Sequence, residues 1–187
     1  MSDVSDDDLI RLYREGDADA FDALFDRYHG PVYRFASAML SDAAGAEEVL
    51  QETFLSVSRA AQRYEPRGAF RTWLMRIVRN RCLNRLESER VRRRVIRQGE
   101  LRVIDPPSPG PSPTDRAEMN EQMRRVRDAV AALPDRQREA LALYAFDRMS
   151  YRDIAAVLGA PVNTVKTLIH RARAGVAAAM EERSDGV

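Results

Sequence analysis

The chain has 187 residues, 44% of them apolar, with a net charge of +1 and one cysteine. That length suits one or two domains. The near-zero charge argues against a uniform nucleic-acid coat, the lone Cys82 excludes an intrachain disulfide, and no Cys/His cluster offers a zinc site. No secretory signal and no membrane-length apolar run is present, so a cytoplasmic protein without membrane insertion is expected.

The N-terminal stretch is acidic, then amphipathic. Asp6, Asp7 and Asp8 suit a helix N-terminus, where carboxylates favour the macrodipole; a metal cluster is the rarer use of such a triplet. From Asp17 a stripe at i, i+3/i+4 spacing runs through Phe21, Leu24, Phe25, Tyr28, Val32, Phe35, Ala36 and Met39. Pro31 kinks this helix or breaks it. The next helical segment turns Val49, Leu50, Phe54, Leu55 and Val57 toward a core. It leaves Glu47, Glu48, Gln51 and Glu52 on another face.

After the loop "EPRGA", a long helix buries Phe70, Trp73, Leu74, Ile77, Val78 and Leu83. It also carries Arg76, Arg79, Arg81, Arg85, Arg90, Arg92, Arg93 and Arg94, offset only in part by Glu87 and Glu89. This is the strongest local charge excess in the chain. The stretch "DPPSPGPSPTD" then rules out helix and sheet and stiffens the chain toward polyproline II. A flexible linker over 98–114 could span about 55 Å at ~3.3 Å per residue, as an idle tether or as a bridge. Two further helices follow, separated at Pro134.

The last elements form a helical hairpin. Ser150 and Asp153 cap a short helix that buries Ile154, Val157 and Leu158. Gly159 suits the left-handed end of that helix, and Pro161 suits the first turn of the next. In the second helix Val162, Val165, Leu168 or Ile169, and Ala172 pack inward. Asn163, Thr164, Lys166, Thr167, His170, Arg171 and Arg173 point outward, and Lys166 is the only lysine in the chain. A basic helical face after a tight turn describes a helix-turn-helix, able to grip phosphates and read base edges. Any all-α protein can also hold such a hairpin with a solvated face. No strand alternation and no internal repeat is found. The expectation is therefore an all-α protein: two small helical domains, 1–97 and 115–187, joined by the Pro-rich linker, the second containing the helix-turn-helix.

Four stretches in order resemble the extracytoplasmic-function sigma factors of bacterial RNA polymerase. They are "AFDALFDRYHGPVYRFA", "DAAGAEEVLQETFLSV", "RGAFRTWLMRIVRNRCLNRL" and the long segment from "LPDRQREAL" through "VKTLIHRARAGV". The resemblance covers nearly everything from Asp17 to Met180 and implies a sigma-2 domain and a sigma-4 domain with no sigma-3 between them.

By this resemblance, Glu47, Glu48, Gln51 and Glu52 dock core polymerase through its β′ subunit, with β also a partner. Arg63, Tyr64 and Arg67 of the loop, with Arg76, Arg79, Asn80 and Arg85 of the helix, would open and capture minus-10 promoter DNA. Asn80 falls where the family places a base-reading contact. Trp73 is either a stacking residue or part of the core. Asn163, Thr164, Lys166, Thr167, His170, Arg171 and Arg173 would read the minus-35 element. There the family commonly has "VKSRLHRAR", so Thr167 replaces a serine and Leu168 an arginine, removing a donor. An anti-sigma factor is expected as a further partner. No cofactor, no metal and no enzymatic activity are expected.

Two other readings weigh against this one. A stand-alone, dimeric helix-turn-helix regulator accounts for the C-terminal half only. An all-α metalloenzyme could use Glu48 and Glu52, one turn apart, but the chain has no Glu-x-x-His pair. Cys82 reads as a redox sensor or, more commonly for a lone helical cysteine, as a small buried hydrophobe.

Overall fold

A computed structural model describes residues 4–65, 67–97 and 117–181, and over these the chain is all-α. The linker expected at 98–114 lies outside the described residues. Four helices make the N-terminal half: α1 (Asp6–Arg14), α2 (Ala18–Leu40), α3 (Ala43–Ala60) and α4 (Phe70–Arg97), with a 3-10 turn at Ala61–Arg63 after α3. Four make the C-terminal half: α5 (Ala117–Ala131), α6 (Asp135–Asp147), α7 (Tyr151–Leu158) and α8 (Val162–Glu181).

Short polar side chains set the helix starts. Ser5, Asp17, Asp42 and Ser150 each accept backbone N–H bonds at the head of α1, α2, α3 and α7, which satisfies donors that the first helical turn leaves over. Ser41 closes α2 in the left-handed conformation at φ 55°. Pro31 neither ends nor splits α2, which runs unbroken past it. A mid-helix proline costs ~3 kcal/mol. Burial of Tyr28, Val32 and Phe35 around it, at ~1.5–3 kcal/mol for each large apolar side chain, outweighs that cost.

The core of the N-terminal half gathers Leu9, Ile10, Leu24, Phe35, Met39, Phe70, Leu74 and Val78, all essentially without solvent exposure. Cys82 lies among them, and burial pushes its thiol up to about 12. The reading of this cysteine as a small buried hydrophobe therefore fits its place in the fold. Trp73 packs half-buried between Tyr64 (ring centroids 4.8 Å) and Phe70 (5.6 Å), so its core-packing alternative fits as well.

Three expectations about side-chain direction are corrected, one of them Val162, expected to pack inward but 36% exposed at the head of α8. Leu55 was assigned to the core and is 55% exposed. The inward stripe of α3 is Ala46, Val49, Thr53 and Val57, and a 3.6-residue period through these places Leu55 on the outer side with Glu47 and Gln51. Phe25, assigned to the α2 stripe, sits at its margin, 37% exposed.

In the C-terminal half α6, α7 and α8 pack together around Leu143, Ile154, Leu158, Val165 and Ile169. Gly159 ends α7 at φ 61°, the left-handed conformation expected of it. Pro161 stands just ahead of α8, and its carbonyl accepts the Val165 N–H at 3.1 Å. The two halves are docked: α2 packs on α6, α4 on α7, and one apolar cluster runs from Leu9 to Ile169 without interruption.

Candidate nucleic-acid and polymerase interfaces

Three faces carry the residues that the sequence singles out. The first is the outer side of α8. Asn163, Thr164, Lys166, Thr167, His170, Arg171 and Arg173 are all exposed. Five of them (Lys166, Thr167, His170, Arg171 and Arg173) line an open groove of about 810 Å³ with Tyr151, the first residue of α7. The hydroxyl of Thr167 donates to the Asn163 carbonyl at 3.0 Å, one helical turn back. Ile169 and Ala172 take the buried side. Leu168 is half-buried against the core, at the edge of the basic face rather than within it.

The second face is α4, and here Arg76, Arg79 and Arg90 are occupied by the other half. Arg76 donates twice to the Ala156 carbonyl of α7, at 2.9 and 2.6 Å. Arg79 donates to Glu139 of α6 at 2.7 Å. Glu139 is only 2% exposed and is one of two buried polar side chains among the described residues. Arg90 reaches Asp135 at 2.6 Å, and Arg138 answers from α6 with a 3.1 Å bond to the Met39 carbonyl of α2. Asn80 stays exposed. In the adjoining loop, Arg63 is exposed and Arg67 is exposed beside Glu65, with which it forms an ion pair. Tyr64 does not supply the aromatic surface expected of it: the ring is 8% exposed and packed on Phe70 and Trp73. Burial first, and then a bond from its hydroxyl to Asp7, raise the Tyr64 phenol above its ordinary pKa.

The third face divides the acidic set of α3 into two pairs. Glu48 binds Arg85, and Glu52 binds Arg81, so these carboxylates join α3 to α4. The bond to Glu48 is the main cause that holds the Arg85 guanidinium above its ordinary pKa. Among the described residues no group of three His, Cys, Asp or Glu is placed to hold a metal ion. Glu47 and Gln51 point the other way. They line an open cleft of about 490 Å³ with Phe25, His29, Tyr33 and Leu50. Leu55 continues the row at i, i+4, i+8 spacing.

Sequence reasoning missed Glu139, because "DRQREAL" reads as an ordinary solvated face. It also missed the apolar partners of Glu47 and Gln51, since Phe25 and Leu55 look like core residues in a linear pattern.

Comparison with known proteins agrees with this arrangement. The Sigma-70 region 2 family model matches residues 24–92, and the Sigma-70, region 4 model matches 123–174. An ECF RNA polymerase sigma factor SigK from Mycobacterium sp. (strain KMS) is 34% identical over 172 residues, covering 91% of this chain and 86% of the relative. SigM from Mycobacterium tuberculosis (strain ATCC 25618 / H37Rv), also an ECF sigma factor, is 33% identical over 183 residues, covering 98% and 88%. Among solved structures, CnrH in complex with the cytosolic domain of CnrY aligns with a TM-score of 0.69 at 25% identity, covering 96% of this chain and 99% of that one. The fold also matches the sigma factor RpoE, solved with the anti-sigma factor NepR from Bartonella quintana (TM-score 0.66, 23% identity, 86% and 96% covered). The two matched regions define a sigma-70-type chain, and the chain belongs to the extracytoplasmic-function RNA polymerase sigma factors.

Proposed function

We propose that this sigma subunit binds core RNA polymerase through α3, reads duplex minus-35 DNA with α8, and opens and holds minus-10 DNA with α4 and the loop before it. The observation that carries the reading is the fully exposed basic face of α8, in a chain whose other half is a sigma region 2. Lys166, Arg171 and Arg173 can neutralise phosphates, while Asn163, His170 and the hydroxyls can address base edges. Such a protein is an initiation factor. It promotes strand opening by binding separated strands better than paired ones, and it makes or breaks no covalent bond.

The polymerase-facing surface consists of Glu47 and Gln51 with Phe25 and Leu55 beside them, an acidic rim on an exposed apolar patch. That composition suits a partner helix carrying arginines and apolar side chains. Glu48 and Glu52 support it from behind through α4. Minus-10 contacts would come from Arg63, Arg67 and Asn80, from Arg76 and Arg79 once α6 and α7 have moved off them, and from Arg85 if it exchanges Glu48 for phosphate. The stretch over 98–114 serves as the tether that lets domains 1–97 and 115–187 reach separated promoter elements. An anti-sigma factor is proposed as the protein that keeps the subunit from β and β′, and the cytoplasm, where polymerase works, as its site of action.

Reconstitution tests the reading. Purified chain added to core polymerase should form a stoichiometric complex and start transcription from promoters that share a two-part upstream motif. A chain that ignores core polymerase yet binds duplex DNA as a dimer would instead be a stand-alone regulator.

A further inference from the structure

The three aspartates that open α1 do different work. Asp8 serves the helix itself: it accepts from Ser5 Oγ at 2.7 Å and pairs with Arg11 at 3.0 Å. Asp6 leaves the helix to bind Arg27 and the Tyr28 hydroxyl. Asp7 reaches furthest in sequence. One of its oxygens accepts the Tyr64 hydroxyl at 2.8 Å, and the other accepts the backbone N–H of Gly68. A single carboxylate thus holds both ends of the loop that precedes α4. Gly68 sits at φ 66° with open space where a Cβ would be, a conformation L side chains resist and glycine adopts freely. Tyr64 is fixed from its other side by the Phe70 and Trp73 rings. Between the two pinned points the exposed Arg67 is presented outward.

We infer that Asp7 is the positioning residue of the minus-10 loop, holding its backbone in the shape that receives a separated DNA strand. The inference rests on the sigma reading of that loop. Asp7 touches no DNA itself, and its own negative charge would repel phosphate. Its contribution is pre-organisation, because a loop already held in its binding shape loses less entropy when it binds. Ser5 caps α1 and Asp8 bonds that serine, which leaves Asp6 and Asp7 for tertiary use.

The test uses holoenzyme assembled from core polymerase and the full chain carrying Asp7→Ala, Asp7→Asn or Tyr64→Phe. Three affinities are measured: for core polymerase, for a duplex bearing the minus-35 segment, and for a single-stranded oligonucleotide bearing the non-template minus-10 segment. The DNA sequences come from a transcription start mapped after overexpression. Asp7→Ala should weaken single-strand binding about tenfold, as expected for losing hydrogen bonds to a charged group. Affinities for core and for the duplex should stay within about twofold, because the bonds of Asp7 go to Tyr64 and Gly68 of the loop and not to α3 or α8. Asp7→Asn keeps one acceptor oxygen and should recover part of the loss. Tyr64→Phe removes one bond of two and should cost about threefold. The fluorescence of Trp73, the only tryptophan, should shift in Asp7→Ala and return toward the parent in Asp7→Asn. Equal losses in all three affinities, or unchanged single-strand binding in Asp7→Ala, would overturn the assignment. If the unaltered holoenzyme does not distinguish the minus-10 strand from a scrambled one, the reading of the loop fails, and the inference falls with it.

Discussion

Arg171 and Arg173 on α8, and Arg76 and Arg79 on α4, are the same side chain on outward helical positions, yet they end in opposite states. The α8 pair faces an open groove and makes no ion pair among the described residues. The α4 pair is held by Ala156 and Glu139 of the other half. The contrast shows that an outward position makes a residue available to some partner without saying which. On α8 the groove leaves the pair open, and duplex DNA is the partner proposed for it. On α4 the C-terminal half already occupies the place, so the minus-10 contacts proposed for Arg76 and Arg79 require α6 and α7 to move off them first.

Removing the free cations should have the largest effect. Lys166→Ala combined with Arg171→Ala and Arg173→Ala should lower duplex minus-35 affinity at least a hundredfold, from ~1–3 kcal/mol per contact. Fluorescence anisotropy on a mapped promoter would show it, and the salt dependence of binding should flatten by about one ion per lost phosphate contact. A loss confined to a few fold would mean that α8 is not the reader.

Glu139→Ala acts on the other side of the comparison. It leaves Arg79 half-buried without its carboxylate, and breaking a buried pair typically costs about 3–5 kcal/mol. Parting of the halves relieves that cost, so the radius of gyration in solution scattering should rise and single-strand minus-10 binding should strengthen. An unchanged radius with a lower melting temperature would show that the pair supports folding but does not govern docking.

Leu55→Glu should weaken core polymerase binding about tenfold, as for an interface anchor, while leaving thermal stability nearly unchanged, since Leu55 is already 55% exposed. Titration of labelled core would measure it.

The smallest effect concerns Cys82. With its thiol raised to about 12 by burial, the thiolate is scarce at neutral pH. Reaction with a disulfide reagent should be slow in the native chain and should climb about tenfold per pH unit between pH 6 and 9 without levelling off. A fast reaction that levels off near neutral pH, as a low-pKa thiolate gives, would revive redox sensing.

Much of this was legible in the chain. Helix periodicity, the Ser150 cap, the Gly159 corner and the outward face of α8 all depend on local geometry, which spacing records. Thr53 and Leu55 show the limit. Hydrophobicity ranks leucine inside and threonine outside, but the period of α3 reverses them, and only tertiary packing fixes the phase. Tyr64 was misplaced for a related reason: its aromatic neighbours and Asp7 are 6 to 57 residues away in sequence. The occupation of Arg76 and Arg79 left no local mark at all, because docking of the halves depends on a buried glutamate in an otherwise ordinary charged helix.

The uninterrupted apolar cluster that joins the halves carries a last consequence. Separating them uncovers oily surface on α2, α6 and α7 that water penalises, so the parted form is poorly soluble and vulnerable to proteases unless something covers it at once. A large assembly offering replacement surface would therefore select the parted form as it binds, and the unaccompanied subunit would spend nearly all its time folded shut. Chains engineered to stay apart should clump on concentration, and adding that assembly should disperse them.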